Sequence, residues 1–235
     1  MEPFTIRRAR RDDLDALALL EQKSWTRRGT PVLSKTDLAH WYAEGSPFFL
    51  VAEQGAAICG YYFGRQVHFS PDEAADFLDR GKLTDKGFSV HAHDLFGDSV
   101  YGINVTATVP GAGIALNRAV HELLEEMRMK YFLGYTRLSS FGSFLRRLPN
   151  EANEREDDLA LWYACESARL LGMRVWPQAP EHPALGLPAL RRPDPVLAFH
   201  VRDTRLGLFA IVRDYMTDPA SRNYGAFIVS EYPHR

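Results

Sequence analysis

The stretch Tyr101-Gly-Ile-Asn-Val-Thr-Ala-Thr-Val-Pro-Gly-Ala-Gly-Ile-Ala-Leu116 decides how this chain is read. A strand is predicted over 99–105, a turn at Pro110, Gly111 and Gly113, and an amphipathic helix over 114–130. The helix is marked by Leu116, Val120, Leu123, Leu124 and Met127, which recur at helical spacing. The first amides of such a helix have no partner within it, and the macrodipole adds positive potential at that end. A strand–glycine turn–helix unit is therefore suited to an anion. Gly111 and Gly113 let backbone approach a phosphate, and Ala115 keeps helix and ligand close. The same residues also serve a tight turn that holds nothing. The unit is not a P-loop, because no Gly-Lys-Ser/Thr follows, and its glycine spacing is not that of a dinucleotide fingerprint.

Upstream, residues 4–9 read as a strand, and Asp12 or Asp13 is placed to cap a helix carrying Leu14, Leu17, Ala18, Leu20 and Glu21. Ser34-Lys-Thr-Asp37 resembles a capping box with Asp in the Glu place, opening a helix that would bury Leu38, Trp41 and Tyr42. Strands over 48–52 and 57–69, joined by a turn at 53–55, form a hairpin. A polar excursion over 70–98 starts with a helical turn at Ser70-Pro-Asp-Glu73. Downstream come a strand over 131–135, a helix over 157–171 stopped by Gly172, and a proline-rich loop over 177–195. Strands over 196–201, 206–212 and 225–231 complete a mixed α/β order.

Composition narrows the function. The 235 residues are 46% hydrophobic and 25% charged with a net charge of -2, which suits a globular chain and not a disordered, collagenous or disulfide-rich one. The charge gives no case for a nucleic-acid or membrane-surface partner. The run Arg7-Arg8-Ala9-Arg10-Arg11 is followed by Asp12 and Asp13 and not by an apolar segment, so a secretory signal is not expected and a cytoplasmic location is. The run itself reads as a solvated edge or a minor basic surface. Cys59 and Cys165 lie in apolar runs and read as buried thiols, with a disulfide or a catalytic cysteine as the alternatives.

The β-α-α-β-β start followed by strand–glycine turn–helix–strand resembles the Gcn5-related N-acetyltransferase (GNAT) superfamily. Its signature, Arg/Gln-x-x-Gly-x-Gly/Ala, is matched at the Gly and Ala positions of Pro110-Gly-Ala-Gly-Ile-Ala115, with Pro110 in place of Arg or Gln. Proline has no N–H, so one donor is lost there. Asp194-Pro-Val-Leu-Ala-Phe-His200 and Val212-Arg-Asp-Tyr-Met-Thr-Asp-Pro-Ala-Ser-Arg-Asn-Tyr-Gly225 resemble the GNAT domain fused to carbon–nitrogen hydrolases of the nitrilase superfamily. Leu133-Gly-Tyr-Thr-Arg-Leu-Ser-Ser-Phe141 resembles its strand exit, with Arg137 retained. The resemblance implies an α/β fold with a mixed, mostly antiparallel central sheet flanked by helices. It also implies one domain over 1–235, with insertions at about 70–97 and 142–193 that would lie over the acceptor side as a lid.

The implied chemistry is acyl transfer from acetyl-CoA, or another acyl-CoA, to the amine of a small molecule. Gly111, Ala112, Gly113, Ile114 and Ala115 would hold the pyrophosphate, Ile103 and Val105 the pantetheine, and Arg118 would reach a phosphate or stand in solvent. Attack requires a neutral amine, a donor for the oxyanion and a proton for the thiolate. The strand before the turn has no Glu, which many relatives use there; Tyr101 and Asn104 are its polar residues. Candidates for catalysis are His93, Asn104, Tyr135 and Tyr163; Tyr163 also reads as a core aromatic. His91-Ala-His-Asp94 reads as a metal pair, as a base near the substrate or as a locally bonded loop, and no metal is expected. His200 reads as half-buried in a strand or as a base. Trp25, Arg137 and Ser139 are candidates for the acceptor; Arg137 reads as a contact to a substrate carboxylate or, in preference, as a structural residue that orients the loop through carbonyls. A homodimer, or a partnership with a nitrilase-type hydrolase, is allowed. The alternative function is a GNAT-like module that binds acyl-CoA without turnover.

Overall fold

The computed structural model describes residues 4–26, 32–78, 94–148, 155–181, 183–202 and 205–232. The chain divides into two units, Met1–Phe69 with Lys82–Phe132 and Tyr232–Arg235, and Ser70–Gly81 with Leu133–Glu231.

The first unit is built on an antiparallel ladder of β1 (Thr5–Arg8), β2 (Phe49–Gln54), β3 (Ala57–Val67) and β4 (Ser99–Ala107), in that spatial order. The expected hairpin is β2–β3. Its inner face packs on α1 (Leu14–Trp25) and α2 (Lys35–Ala43) through Leu14, Leu17, Leu20, Leu38, Trp41, Phe49, Val51 and Phe63. Trp41 stacks on Phe63 at 4.3 Å. Each such side chain contributes about 1.5–3 kcal/mol on leaving water.

The Ser34 capping box forms: Asp37 N–H donates to Ser34 Oγ at 3.2 Å, and Ser34 N–H to Asp37 Oδ2 at 2.8 Å. Tyr42 departs from expectation and stays 38% exposed, because it is rotated about 100° from buried Trp41 and falls at the edge of the stripe. Asp13 does not cap α1 either. Its carboxylate takes Arg10 N–H at 2.6 Å and Arg7 Nη1 at 2.7 Å, and a 3-10 turn, Arg11–Asp13, leads into the helix. Arg7 also reaches Glu53, so it is drawn out of the solvated basic run.

In β3–β4 the register pairs Tyr61 with Thr106 and Phe63 with Asn104, then shifts between Phe63 and Gly64. Beyond β4 the chain turns into α4 (Ala112–Glu126), the amphipathic helix of the opening reading, which buries Leu116, Val120 and Leu124.

In the second unit the strand order is β5-β7-β6, where β5 is Tyr131–Arg137 (entering the unit at Leu133), β6 is Gly207–Val212 and β7 is Gly225–Glu231. β6 and β7 pair antiparallel. The helices are α3 (Ala75–Leu78), α5 (Phe141–Leu145), α6 (Glu156–Leu170) and α7 (Pro195–Val201). α6 ends as expected at Gly172, whose φ is 65°. The segment after Asp194 corrects the sequence reading: it is a helix and not a strand. Asp194 accepts from Val196 N–H and Leu197 N–H while Pro195 occupies the first turn, and this cap outweighs the strand propensity of Val-Leu-Ala-Phe.

The chain is thus α/β, with mostly antiparallel pairing and helices packed on the strands, as expected. Cys59 and Cys165 are both buried thiols. No helix among the described residues is long and apolar enough to cross a membrane.

Candidate functional site

The strand–turn–helix unit forms as the sequence implies. Ile103, Asn104 and Val105 are half-buried in β4, unlike the fully buried Ser99–Tyr101 that begin it. Thr108 ties the end of the strand to Cys59 through its N–H and its Oγ1. Gly111 is the N-cap of α4 with φ 94°, a left-handed conformation that glycine alone adopts without strain. Behind it, Ala112 N–H donates to Val109 C=O and Ala115 N–H to Gly111 C=O. The amides between them, on Gly113 and Ile114, have no acceptor among the described residues. No acidic side chain stands in that first turn. Pro110 precedes the N-cap, so its missing N–H is not one of the first-turn donors. Arg118 lies exposed on α4.

Asn104 and Trp25, two of the residues expected at the reacting end, meet in one hydrogen-bonded cluster. Trp25 Nε1–H donates to Thr106 Oγ1 at 2.8 Å. Thr106 Oγ1 lies 2.7 Å from Glu21 Oε1, and Tyr61 Oη donates to the same oxygen at 2.6 Å. Asn104 Nδ2 donates to Tyr61 Oη at 2.9 Å. Burial, and then the neighbouring Glu21, hold the Tyr61 hydroxyl well above a phenol's usual range, so it stays protonated.

The sequence reading did not name Glu21, Tyr61 or Thr106 as site residues. The available signal was Glu21 in the apolar stripe of α1 with Leu14, Leu17 and Leu20; it is 1% exposed. A carboxylate in a stripe that faces the core requires donors.

The remaining candidates fall in the second unit and have structural partners. Tyr135 Oη donates to Phe77 C=O at 2.7 Å, and its ring stacks on Tyr215 at 4.6 Å. Arg137, itself half-buried, places Nη1 3.5 Å from Oδ2 of buried Asp218, an ion pair consistent with the structural reading of that arginine. Ser139 and Tyr163 come together on Asp194: Ser139 Oγ donates to Oδ1 and Tyr163 Oη to Oδ2, each at 3.3 Å. Burial, then the Asp194 charge, raise the Tyr163 hydroxyl far above its ordinary value, which is the wrong direction for an acid at neutral pH. His200 lies in α7 and not in a strand. His91 and His93 lie outside the described residues, and among the described residues no group of three or more metal-binding side chains occurs.

No family model matches the sequence, and no curated protein matches it. Solved structures do match, over nearly the whole chain. The GNAT-like decarboxylase GphF in complex with isobutyryl-CoA is 17% identical, with a TM-score of 0.64 over 97% of this chain and 98% of that one. The loading GNATL domain of CurA from Lyngbya majuscula is 14% identical, with a TM-score of 0.65 over 98% of each chain. The ribosomal-protein-S18-alanine N-acetyltransferase of Escherichia coli is 12% identical, with a TM-score of 0.50 over 99% of this chain and 96% of that one. At these identities the likeness speaks to fold: the chain has the GNAT fold.

Proposed function

We propose that this chain is an acyl-CoA-dependent N-acyltransferase that moves an acetyl group from acetyl-CoA to the amine of a small molecule. The observation that carries the reading is the pair of unpartnered amides, Gly113 and Ile114, at the start of a fifteen-residue helix that follows β4 directly. Two amides, the macrodipole and the absence of a first-turn carboxylate suit a pyrophosphate. Gly111 to Ala115 cradle it, Arg118 adds a cation for a second phosphate, and the backbone of Ile103 and Val105 takes the pantetheine in the manner of an added strand.

The chemistry follows from this placement. The neutral amine nitrogen attacks the thioester carbon, the C–N bond forms, and the C–S bond breaks as the thiolate leaves with its electron pair. The amine proton passes to a base, for which His93 is the sequence candidate, and the thiolate takes up a proton afterwards. A thiolate is a good leaving group, so holding the amine against the carbonyl supplies much of the rate. Asn104 and Trp25 belong to the acceptor end. A cytoplasmic location, and assembly as a homodimer or beside a nitrilase-type hydrolase, are part of the same proposal.

Calorimetry with acetyl-CoA tests the first half. Binding is expected, and Gly111→Ala should weaken it about tenfold, because a Cβ strains the left-handed N-cap and shifts the turn. No heat at millimolar ligand overturns the reading. Thiol release from acetyl-CoA across a panel of primary amines tests the second half. Binding without release would make the chain an acyl-CoA-binding module, and loss of CO2 from malonyl-CoA without an amine would make it a decarboxylase.

A further inference from the structure

The donors of the buried cluster in the first unit all point one way. Glu21 accepts at both oxygens, from Tyr61 and Thr106 hydroxyls at Oε1 and from Leu33 N–H at Oε2, 3.5 Å away. Among the described residues every group that donates to it is neutral. A hydroxyl has one proton to give. Tyr61 gives its proton to Glu21, so toward Asn104 it can only accept. Thr106 has Glu21 Oε1 at 2.7 Å and Asn104 Oδ1 at 3.1 Å; the shorter, charge-assisted bond takes the proton. The Asn104 amide is then fixed in one of its two flips. Its Nδ2 faces Tyr61 and Glu21, and its Oδ1 receives no competing full-strength donor. Trp25 spends its N–H on Thr106 in the same direction. Glu21 and Thr106 are buried, whereas Asn104 and Trp25 are half-buried, so the accessible rim of the cluster offers an acceptor and withholds its donors.

We propose that Tyr61 and Glu21 are positioning residues that orient Asn104, so that its Oδ1 accepts an N–H from the attacking amine. The inference rests on the acyl-transfer reading and deepens it. It assigns the acceptor's recognition to an oriented amide carbonyl backed by a carboxylate, which suits a primary amine and disfavours a ligand that presents a carboxylate at that point. Asn104 would hold the nitrogen by one N–H while the lone pair attacks the thioester. No proton transfer to Asn104 is involved.

The test is the steady-state rate of thiol release from acetyl-CoA with tyramine, spermidine and lysine methyl ester as acceptors. Tyr61→Phe frees the Asn104 amide to flip, and Asn104→Leu removes the acceptor. Each should raise the amine KM about tenfold, the worth of one hydrogen bond, while the acetyl-CoA KM moves less than twofold. The double variant should be no worse than either single one, because both remove the same contact. Additive losses, equal movement of both KM values, or an unchanged amine KM in Tyr61→Phe would overturn the inference and leave acyl transfer standing. No thiol release by the unaltered chain with any of the three amines overturns acyl transfer and the inference together. Should Tyr61→Phe fold poorly, Asn104→Leu alone decides: an unchanged amine KM overturns the inference, and a tenfold rise confined to the amine supports it.

Discussion

Two buried carboxylates, Glu21 in the first unit and Asp194 in the second, are met by neutral donors among the described residues, yet they are held in opposite ways. Asp194 is satisfied mainly from backbone: Val196 N–H at 3.0 Å and Leu197 N–H at 3.2 Å just after it in the chain, and Ser140 N–H at 2.9 Å from 54 residues before it, with Ser139 and Tyr163 hydroxyls added. Glu21 draws its short bonds from side chains 40 and 85 residues away. Asp194 fixes where α7 starts. Glu21 fixes how the side chains of two neighbouring strands point. A carboxylate that serves backbone is part of the fold's construction, whereas one that serves rotatable side chains sets the chemistry of a surface.

The largest expected effect lies on the backbone side of that contrast. Asp194→Ala strips a helix cap and leaves the Ser140 N–H and the Tyr163 hydroxyl without their partner, a loss of about 4 kcal/mol by urea denaturation. Asp194→Asn should cost about half of that, because an amide NH2 then confronts Ser140 N–H.

A half-buried imidazole sharpens the comparison. His121 on α4 contacts the Tyr232 hydroxyl and the Phe132 ring, and burial pushes its pKa down from 6.5 to about 4. The folded state therefore holds His121 neutral while the unfolded chain takes up a proton first as pH falls. Its stability contribution is fully present above pH 6.5 and is lost as pH falls through about 4. The loss is roughly 3 kcal/mol, and His121→Gln should flatten it in denaturation measured across that window.

Ser34→Ala removes an exposed cap that resembles Asp194 in kind but not in burial, and should cost about 1 kcal/mol in thermal unfolding. Glu21→Gln should change stability least, by under about 1 kcal/mol. Its carbonyl still accepts from Tyr61 and Thr106, and the amide replaces only the oxygen that faces Leu33 N–H at 3.5 Å. If Glu21→Gln unfolded the chain while Asp194→Asn did not, the contrast between the two carboxylates would be reversed.

The same division explains what could be read from the sequence. The β4–turn–α4 unit, the β2–β3 hairpin, the Ser34 box and the Gly172 stop are written in contiguous residues, and each forms where expected. The segment after Asp194 misled because Val-Leu-Ala-Phe serves a strand or a helix equally well, and the deciding cap is a single residue before it. α5 is a single short helix whose N-cap, Ser140, makes no side-chain cap bond, so no start signal marks it in the sequence. For the site, the glycine turn was legible and the Glu21 cluster was not. Its members lie on α1, β3 and β4, and only the register that pairs Tyr61 with Thr106 brings them together. Similarly, Tyr163 and Ser139 could be named as polar candidates, but their common partner Asp194 is 31 and 55 residues further along the chain.

The bond from Trp25 to Thr106 also makes the cluster visible by light. The chain has four tryptophans, and Trp41, Trp162 and Trp176 are all buried, whereas Trp25 is half-exposed with its indole N–H engaged. A small diffusing quencher such as acrylamide reaches Trp25 first, and an indole emits at a different wavelength when its N–H bond is broken. The quenchable fraction of the intrinsic fluorescence is therefore a built-in gauge of the acceptor end, which needs no label and reports before any product has formed.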